Sequence, residues 1–282
     1  MQSEEYLDGF RRTQRLAFQC AQTTEGFFRE GISERQVAQL METFLKDHGA
    51  GGYFHTPFAW FGDRTRFDGM KWYWDFMPSE RKLEVGDAVI LDCAPMVDGF
   101  MADIGYTTSF GENTEVLAAK KLLAEMRSQL PGWVQTLRTR KAVWDRVDQE
   151  FQKNDMDCAH RRYPFHVLGH ELRRTPFQKI PGLLRPFSVH AYAMVLGRGI
   201  WPALLGPKQS GVIPGGTERL WAIEPHLGAR GGTRGGTHGG TRGGHGGRRF
   251  GAKFEEILVV RPDGEARWLD DDVPHRKVGD AV

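Results

Sequence analysis

The 282-residue chain is poor in cysteine, with three residues, Cys20, Cys93 and Cys158, widely spaced and odd in number. They make neither a disulfide framework nor a CxxC zinc site, and they suit a reducing compartment. No apolar run reaches the roughly 18 residues a membrane-spanning helix needs, so no membrane partner is expected. The opening MQSEEYLDGFRR lacks the basic and apolar regions of a secretory signal, and the expected location is cytoplasmic. Net charge is also small, at +2, and even that misleads. Residues 230–249 carry five arginines and no acid, so the remainder is 2 − 5 = −3. The folded body is mildly acidic, and nucleic acid is not an expected partner for it. What the chain does have is 40% hydrophobic and 26% charged residues, enough to build a core and to exclude wholesale disorder.

The basic segment reads GARGGTRGGTHGGTRGGHGGRRFG, an imperfect GGT(R/H) repeat. A repeat this short and glycine-rich cannot bury an apolar face, so 229–249 is expected to be a flexible loop. Strand-like signals lie on both sides of it. It is therefore expected to interrupt a single domain spanning 1–282.

Ser33 followed by Gln36 has the spacing of a capping box. Val37, Leu40, Met41, Phe44 and Leu45 then recur at helical period, and Gly49 stands where the helix should stop. A second helix is predicted to open at Thr114 as its cap and to end at Pro131. A third is predicted over about 134–153. AVILDCAP (88–95) and FMADIGYTTSF (100–110) read as strands joined by an Asp98-Gly99 turn. FEEILVV (254–260) reads as a further strand, closed by Pro262-Asp263-Gly264. Helices mixed with antiparallel hairpins indicate the α+β class.

The hairpin carries the first chemical signal. With Asp98 and Gly99 as its two turn residues, cross-strand partners sum to 197, so Ala94 faces Asp103 and Asp92 faces Gly105. Asp92 and Asp103 then share a face as diagonal neighbours, roughly 7–8 Å apart. Two buried carboxylates call for something cationic between them. A divalent ion, or a pair about 3.5–4 Å apart, would satisfy them. His166 and His170 of HVLGH lie in an apolar, aromatic stretch, and imidazole is a common metal ligand. Glu224 ends the apolar run LWAIE before Pro225, where an acid needs a partner or an ion. Of Glu255 and Glu256, strand alternation turns only one inward. Carboxylates with one imidazole and no thiolate suit a dinuclear hydrolytic site holding Mn, Co, Fe or Zn.

In these segments the sequence resembles the pita-bread metallopeptidases: methionine aminopeptidase, Xaa-Pro aminopeptidase and Xaa-Pro dipeptidase. The resemblance rests on LEVGDAVILDCAPMVDGFMADIGYTTSFG (83–111), HVLGH (166–170), WAIEPHLG (221–228) and GAKFEEILVV (251–260). It runs over nearly the whole chain. It implies a pita-bread fold with pseudo-twofold symmetry, as a catalytic domain alone. It implies two divalent metal ions held by Asp92, Asp103, His170, Glu224 and Glu255, with Asp103 and Glu255 bridging. Glu224 would also serve as general base, and His166 would stand on the substrate side. The implied activity is an exopeptidase that cleaves the N-terminal peptide bond of short peptides through a hydroxide held between the metals. A homodimer is compatible with this reading.

Three departures keep other readings open. The family's second histidine falls on Phe177. Its upstream histidine falls in KWYWDFMP (71–78), which has none, Asp75 being the nearest polar group. The 54 positions from His170 to Glu224 are longer than the family leads one to expect, and could supply His190 as a substitute catalytic histidine. The first alternative is a non-peptide hydrolase or lyase with the same metals and a small-molecule substrate. The second is a non-catalytic binding module. The aromatic cluster Trp72, Tyr73, Trp74 and Phe76 reads either as packing or as a pocket rim.

Overall fold

Helix α1 (Glu4–Glu25) opens on Ser3, whose hydroxyl accepts from the Tyr6 N–H at 3.2 Å. Helix α2 (Glu34–Asp47) opens on the capping box read from the sequence: Ser33 accepts from Gln36 N–H at 3.2 Å and returns its own N–H to Gln36 Oε1 at 2.9 Å. Gly49, at φ 90°, follows its last turn, where a left-handed residue ends a helix without strain. This computed structural model describes residues 3–174, 203–213, 217–230 and 249–276.

The N-terminal half continues through β1 (Gly52–Tyr53), β2 (Phe58–Phe61), the short α3 (Tyr73–Phe76), β3 (Ala88–Cys93), β4 (Pro95–Val97), β5 (Phe100–Met101) and β6 (Ile104–Ser109). Asp98 and Gly99 take φ of 51° and 81°, the paired positive angles of a tight hairpin turn. The register follows from that turn. Val97 pairs with Phe100, and Asp92 pairs with Gly105, so the partners sum to 197 as expected. β3 lies between β2 and β6, and the sheet packs Val89, Leu91 and Ile104 against Ala17, Phe18, Met41 and Leu45 of the two helices.

The C-terminal half comprises α4 (Thr114–Leu137), α5 (Arg140–Lys153), β7 (Asp157–Cys158), β8 (Gly169–Leu172), β9 (Leu204–Leu205), β10 (Arg219–Ile223), β11 (His226–Ala229), β12 (Phe250–Lys253), β13 (Glu256–Val260) and β14 (Ala266–Trp268). Its main sheet runs β14-β13-β10-β8-β9, all antiparallel, and packs on α4 and α5 through Leu123, Val143, Trp144, Trp221 and Leu258. Among the described residues, no helix is long and apolar enough to cross a membrane.

Three expectations need correction. The cap of α4 is Asn113, whose Oδ1 accepts from Glu115 and Val116 N–H, and Thr114 is the first helical residue. Pro131 does not end α4, which runs on to Leu137. Proline removes the N–H that would bond the carbonyl four residues back, that of Arg127. Trp268 Nε1 donates to that carbonyl at 2.9 Å instead, so nothing is left unpaired. The break falls at Arg138, in the left-handed region at φ 60°, and α5 restarts at Arg140 under Thr139 as cap. Finally, Glu255 and Glu256 do alternate, yet both are buried. Glu256 faces Arg127 and His275, because α4 covers the outer face of β13.

Candidate metal centre

Among the described residues, the two halves meet backbone to backbone at one junction. Gly105 N–H donates to the Glu255 carbonyl at 3.3 Å, and Glu255 N–H returns to the Gly105 carbonyl at 3.0 Å. This bridge sets Glu255 beside the aspartates of the hairpin. Asp92, next to last in β3, and Asp103, just before β6, are 4% and 3% exposed. Ala222 of β10 pairs with His170 of β8, which turns the imidazole toward Asp103. Glu224 follows β10 directly, its N–H fixed on the Leu168 carbonyl at 2.8 Å. Asp92, Asp103, His170, Glu224 and Glu255 are thus brought into one buried cluster. The cluster carries four carboxylates.

The contacts link them closely. His170 Nε2 lies 3.0 Å from Asp103 Oδ2. Donor atoms of Asp103, His170 and Glu255 all lie within 4.8 Å of one another, and so do those of His55, Asp92 and Asp103. The first of these groups, two carboxylates and an imidazole, fits a borderline divalent ion. Burial works against the charge on Asp103. The positive fields and hydrogen bonds of His55 and His170 outweigh it and hold the carboxyl well below its usual range. Glu224 and Glu255 are pushed up, by burial first. Lys253 pulls both down, while neighbouring carboxylates push both up. Carboxylates that repel one another in this way would be relieved by a cation.

Two groups in the cluster were not assigned a role from sequence. His55 places Nε2 3.0 Å from Asp103 Oδ1 and 3.2 Å from Asp92 Oδ1, while Nδ1 donates to the Thr56 carbonyl at 2.9 Å. An imidazole does reach the aspartates from upstream, but from 55 and not from 71–78. Lys253 is the second. Its Nζ lies 2.5 Å from Asp92 Oδ2, 3.0 Å from Glu224 Oε2 and 3.0 Å from Glu255 Oε2. Strand alternation was the available signal, because Lys253 and Glu255 are two residues apart and share a face.

The remaining candidates lie elsewhere. His166 is exposed, with its ring on the Arg161 carbonyl. His190 and Phe177 lie outside the described residues, as does most of the 229–249 segment. Asp75 is half-buried in the first turn of α3, accepting from the Lys71 and Trp72 N–H groups at 2.8 Å. Of the aromatic cluster, Phe76 is core, packed on Phe67, whereas Trp72 and Trp74 are 67% and 72% exposed. Tyr73 reaches Phe58, and Phe58 stacks on the His55 ring at 4.9 Å. Phe54 stacks on His170 at 4.9 Å. Aromatic faces therefore shield the two imidazoles.

Known proteins share the fold. The sequence pattern of Metallopeptidase family M24 matches residues 8–262. A methionine aminopeptidase of Archaeoglobus fulgidus is 29% identical over 118 residues, 42% of this chain and 38% of that one. An uncharacterized peptidase of Staphylococcus aureus strain bovine RF122 / ET3-1 is 22% identical over 173 residues, 61% of this chain and 46% of its own length. The chain thus spans about half the length of the curated relatives it matches. Among solved structures, X-Pro aminopeptidase from Thermotoga maritima superposes with a TM-score of 0.65 at 16% identity, covering 97% of this chain and 63% of that one. Methionine aminopeptidase from Rickettsia prowazekii gives 0.57 at 13% identity, covering 95% and 98%. The shared architecture is the pita-bread α+β fold.

Proposed function

The chain belongs to metallopeptidase family M24, and from that premise we propose that it is a metal-dependent exopeptidase of the aminopeptidase or Xaa-Pro dipeptidase type. Its substrates would be short peptides, cleaved at the N-terminal peptide bond. The observation that carries this reading is the convergence of Asp92, Asp103, His170, Glu224 and Glu255 in one buried cluster. Asp103, His170 and Glu255 would hold a divalent ion, chosen among Mn, Co, Fe and Zn by availability. Such an ion supplies a Lewis acid for the scissile carbonyl and lowers the pKa of water bound to it. Glu224 would take and return the proton: burial holds its carboxyl above the usual range despite the nearby Lys253, which suits a general base. His55 holds the facing oxygens of Asp92 and Asp103 in place. We read the catalytic machinery as one domain interrupted by 229–249, working in the cytoplasm, where buried thiols such as Cys20 and Cys93 stay reduced.

The test is metal content together with turnover of Xaa-Pro and Met-Xaa peptides, for the wild type and Asp103→Asn. Bound metal and turnover in the wild type are expected, with both reduced roughly 100-fold or more in the variant, because outer-shell changes alone cost about 10–100-fold. A metal-loaded wild type that turns over no peptide would sink the peptidase reading in favour of a non-peptide substrate. A protein that takes up no metal would favour a binding module.

A further inference from the structure

Lys253 is the member of the cluster that a two-ion site does not accommodate. Its ammonium lies within 3.0 Å of one oxygen from each of Asp92, Glu224 and Glu255. An ion coordinated by those same three oxygens, at roughly 2.0–2.2 Å from each, would occupy the volume Nζ already fills. The other oxygen of Asp92 faces His55 Nε2 at 3.2 Å. Nitrogen thus lies on both sides of Asp92, with the hydrogen bond on the ammonium side alone.

The lysine is built into this position. Its side chain is 1% exposed. The stem crosses β6 at Gly105, where an added Cβ would come within 2.4 Å of Lys253 Cε. Only a glycine there leaves the passage open. The backbone beneath is held by Thr107, whose Oγ1 donates to the Lys253 carbonyl at 2.7 Å and accepts from the Lys253 N–H at 2.9 Å. The Tyr163 ring covers the ammonium at 5.6 Å. A lysine fixed by a missing side chain, a paired hydroxyl, an aromatic lid and three carboxylates is a permanent cation of the site.

We propose that the Lys253 ammonium takes one of the two cation positions, so that this centre holds a single divalent ion, at Asp103, His170 and Glu255. The inference rests on reading the cluster as a divalent-metal centre. The carboxylates of Asp92, Asp103, Glu224 and Glu255 carry four negative charges. Lys253 and one divalent ion supply three positive ones, and His55 lies against the two aspartates. Asp92 thereby serves to position the ammonium instead of binding metal.

The experiment counts ions. Wild type and Lys253→Met are saturated with Mn²⁺, freed of excess, and analysed by elemental analysis. Methionine keeps the stem that crosses Gly105 and removes the charge. One ion per chain in the wild type and two in the variant are expected. Two ions in the wild type would overturn the inference and leave the metal centre standing. One ion in both proteins would overturn it too, since the freed carboxylates would then have gained nothing. No ion in either would overturn the metal centre itself. Should the variant not fold, the Mn²⁺ resonance spectrum of the wild type decides. The hyperfine pattern of an isolated ion is expected, and the spectrum of an exchange-coupled pair would overturn the inference.

Discussion

His160 is fully buried, its ring edge-on to Trp144 at 5.4 Å and 5.8 Å from Phe151. Burial disfavours its imidazolium more than nearby Asp148 favours it, and its pKa is pushed from 6.5 down to about 4. In the unfolded chain the same ring titrates near its ordinary value. Between the two values the unfolded state binds more protons, so stability rises with pH. The contribution is fully present above about pH 6.5 and is lost as pH falls toward 4, to a total of about 3 kcal/mol. Thermal melts at pH 7 and pH 5 should show a fall for the wild type and a clearly smaller one for His160→Gln. Equal falls would mean that other groups carry the acid sensitivity. At this scale the sequence is uneven in what it reveals. Asp92 and Asp103 are legible because a two-residue turn determines which side chains share a face. His55 is not, because nothing in FHTP indicates that β2 will lay Phe58 opposite Asp92. Lys253 is hidden for another reason. A lysine beside an apolar strand ordinarily extends its ammonium to water, and its burial here depends on a glycine in a distant strand.

Elements are legible where local chemistry decides them and obscure where tertiary contacts do. The capping box of α2 needs only Ser33 and Gln36. The passage of α4 through Pro131 needs Trp268, which is remote in sequence and arrives with β14. The same region ties α4 to β13. Arg127 Nη2 donates to Glu256 Oε2 at 2.9 Å and to the Asp270 carbonyl at 3.0 Å, and its guanidinium lies 5.1 Å from the Trp268 ring. Glu256 is fully buried, and the His275 Nε2 lies 2.8 Å from it. Arg127→Met would leave that carboxylate with the imidazole alone. Chemical denaturation should report a loss of about 3–5 kcal/mol, the usual cost of stranding one partner of a buried pair. The double variant Arg127→Met with Glu256→Gln should recover part of it. A single-variant loss below about 1 kcal/mol would show that the helix is held to the sheet by apolar packing alone.

At the scale of the whole molecule, the centre exists because two halves, each a helix pair on an antiparallel sheet, meet at Gly105 and Glu255. The order of the acidic residues along the chain was visible beforehand, but their convergence depends on this junction. The Arg/Gly segment connects β11 to β12. Ala229 of β11 pairs with Phe250 of β12, so the chain leaves and returns across one antiparallel pair. The residues at its edges are tied down: Arg230 to Asp157 at 2.9 Å and to Asp155 at 2.8 Å, Arg249 to Asp68 at 2.8 Å. Replacing 231–248 by a short Gly/Ser turn keeps those arginines and the hairpin register. Loop-closure entropy changes by about 0.6 kcal/mol per doubling of length, so a roughly fourfold shortening should stabilise the protein by about 1 kcal/mol. For a domain of this size that is a rise in melting temperature of roughly 2–4 °C. Metal content and peptide turnover should not change, because the hairpin ends are set by paired strands and not by the segment between them. A shortened protein that keeps its melting temperature but loses turnover would assign 231–248 a part in substrate binding. Loss of affinity for single-stranded nucleic acid at physiological salt would assign it an electrostatic partner, since arginine contacts to phosphate weaken steeply as salt rises.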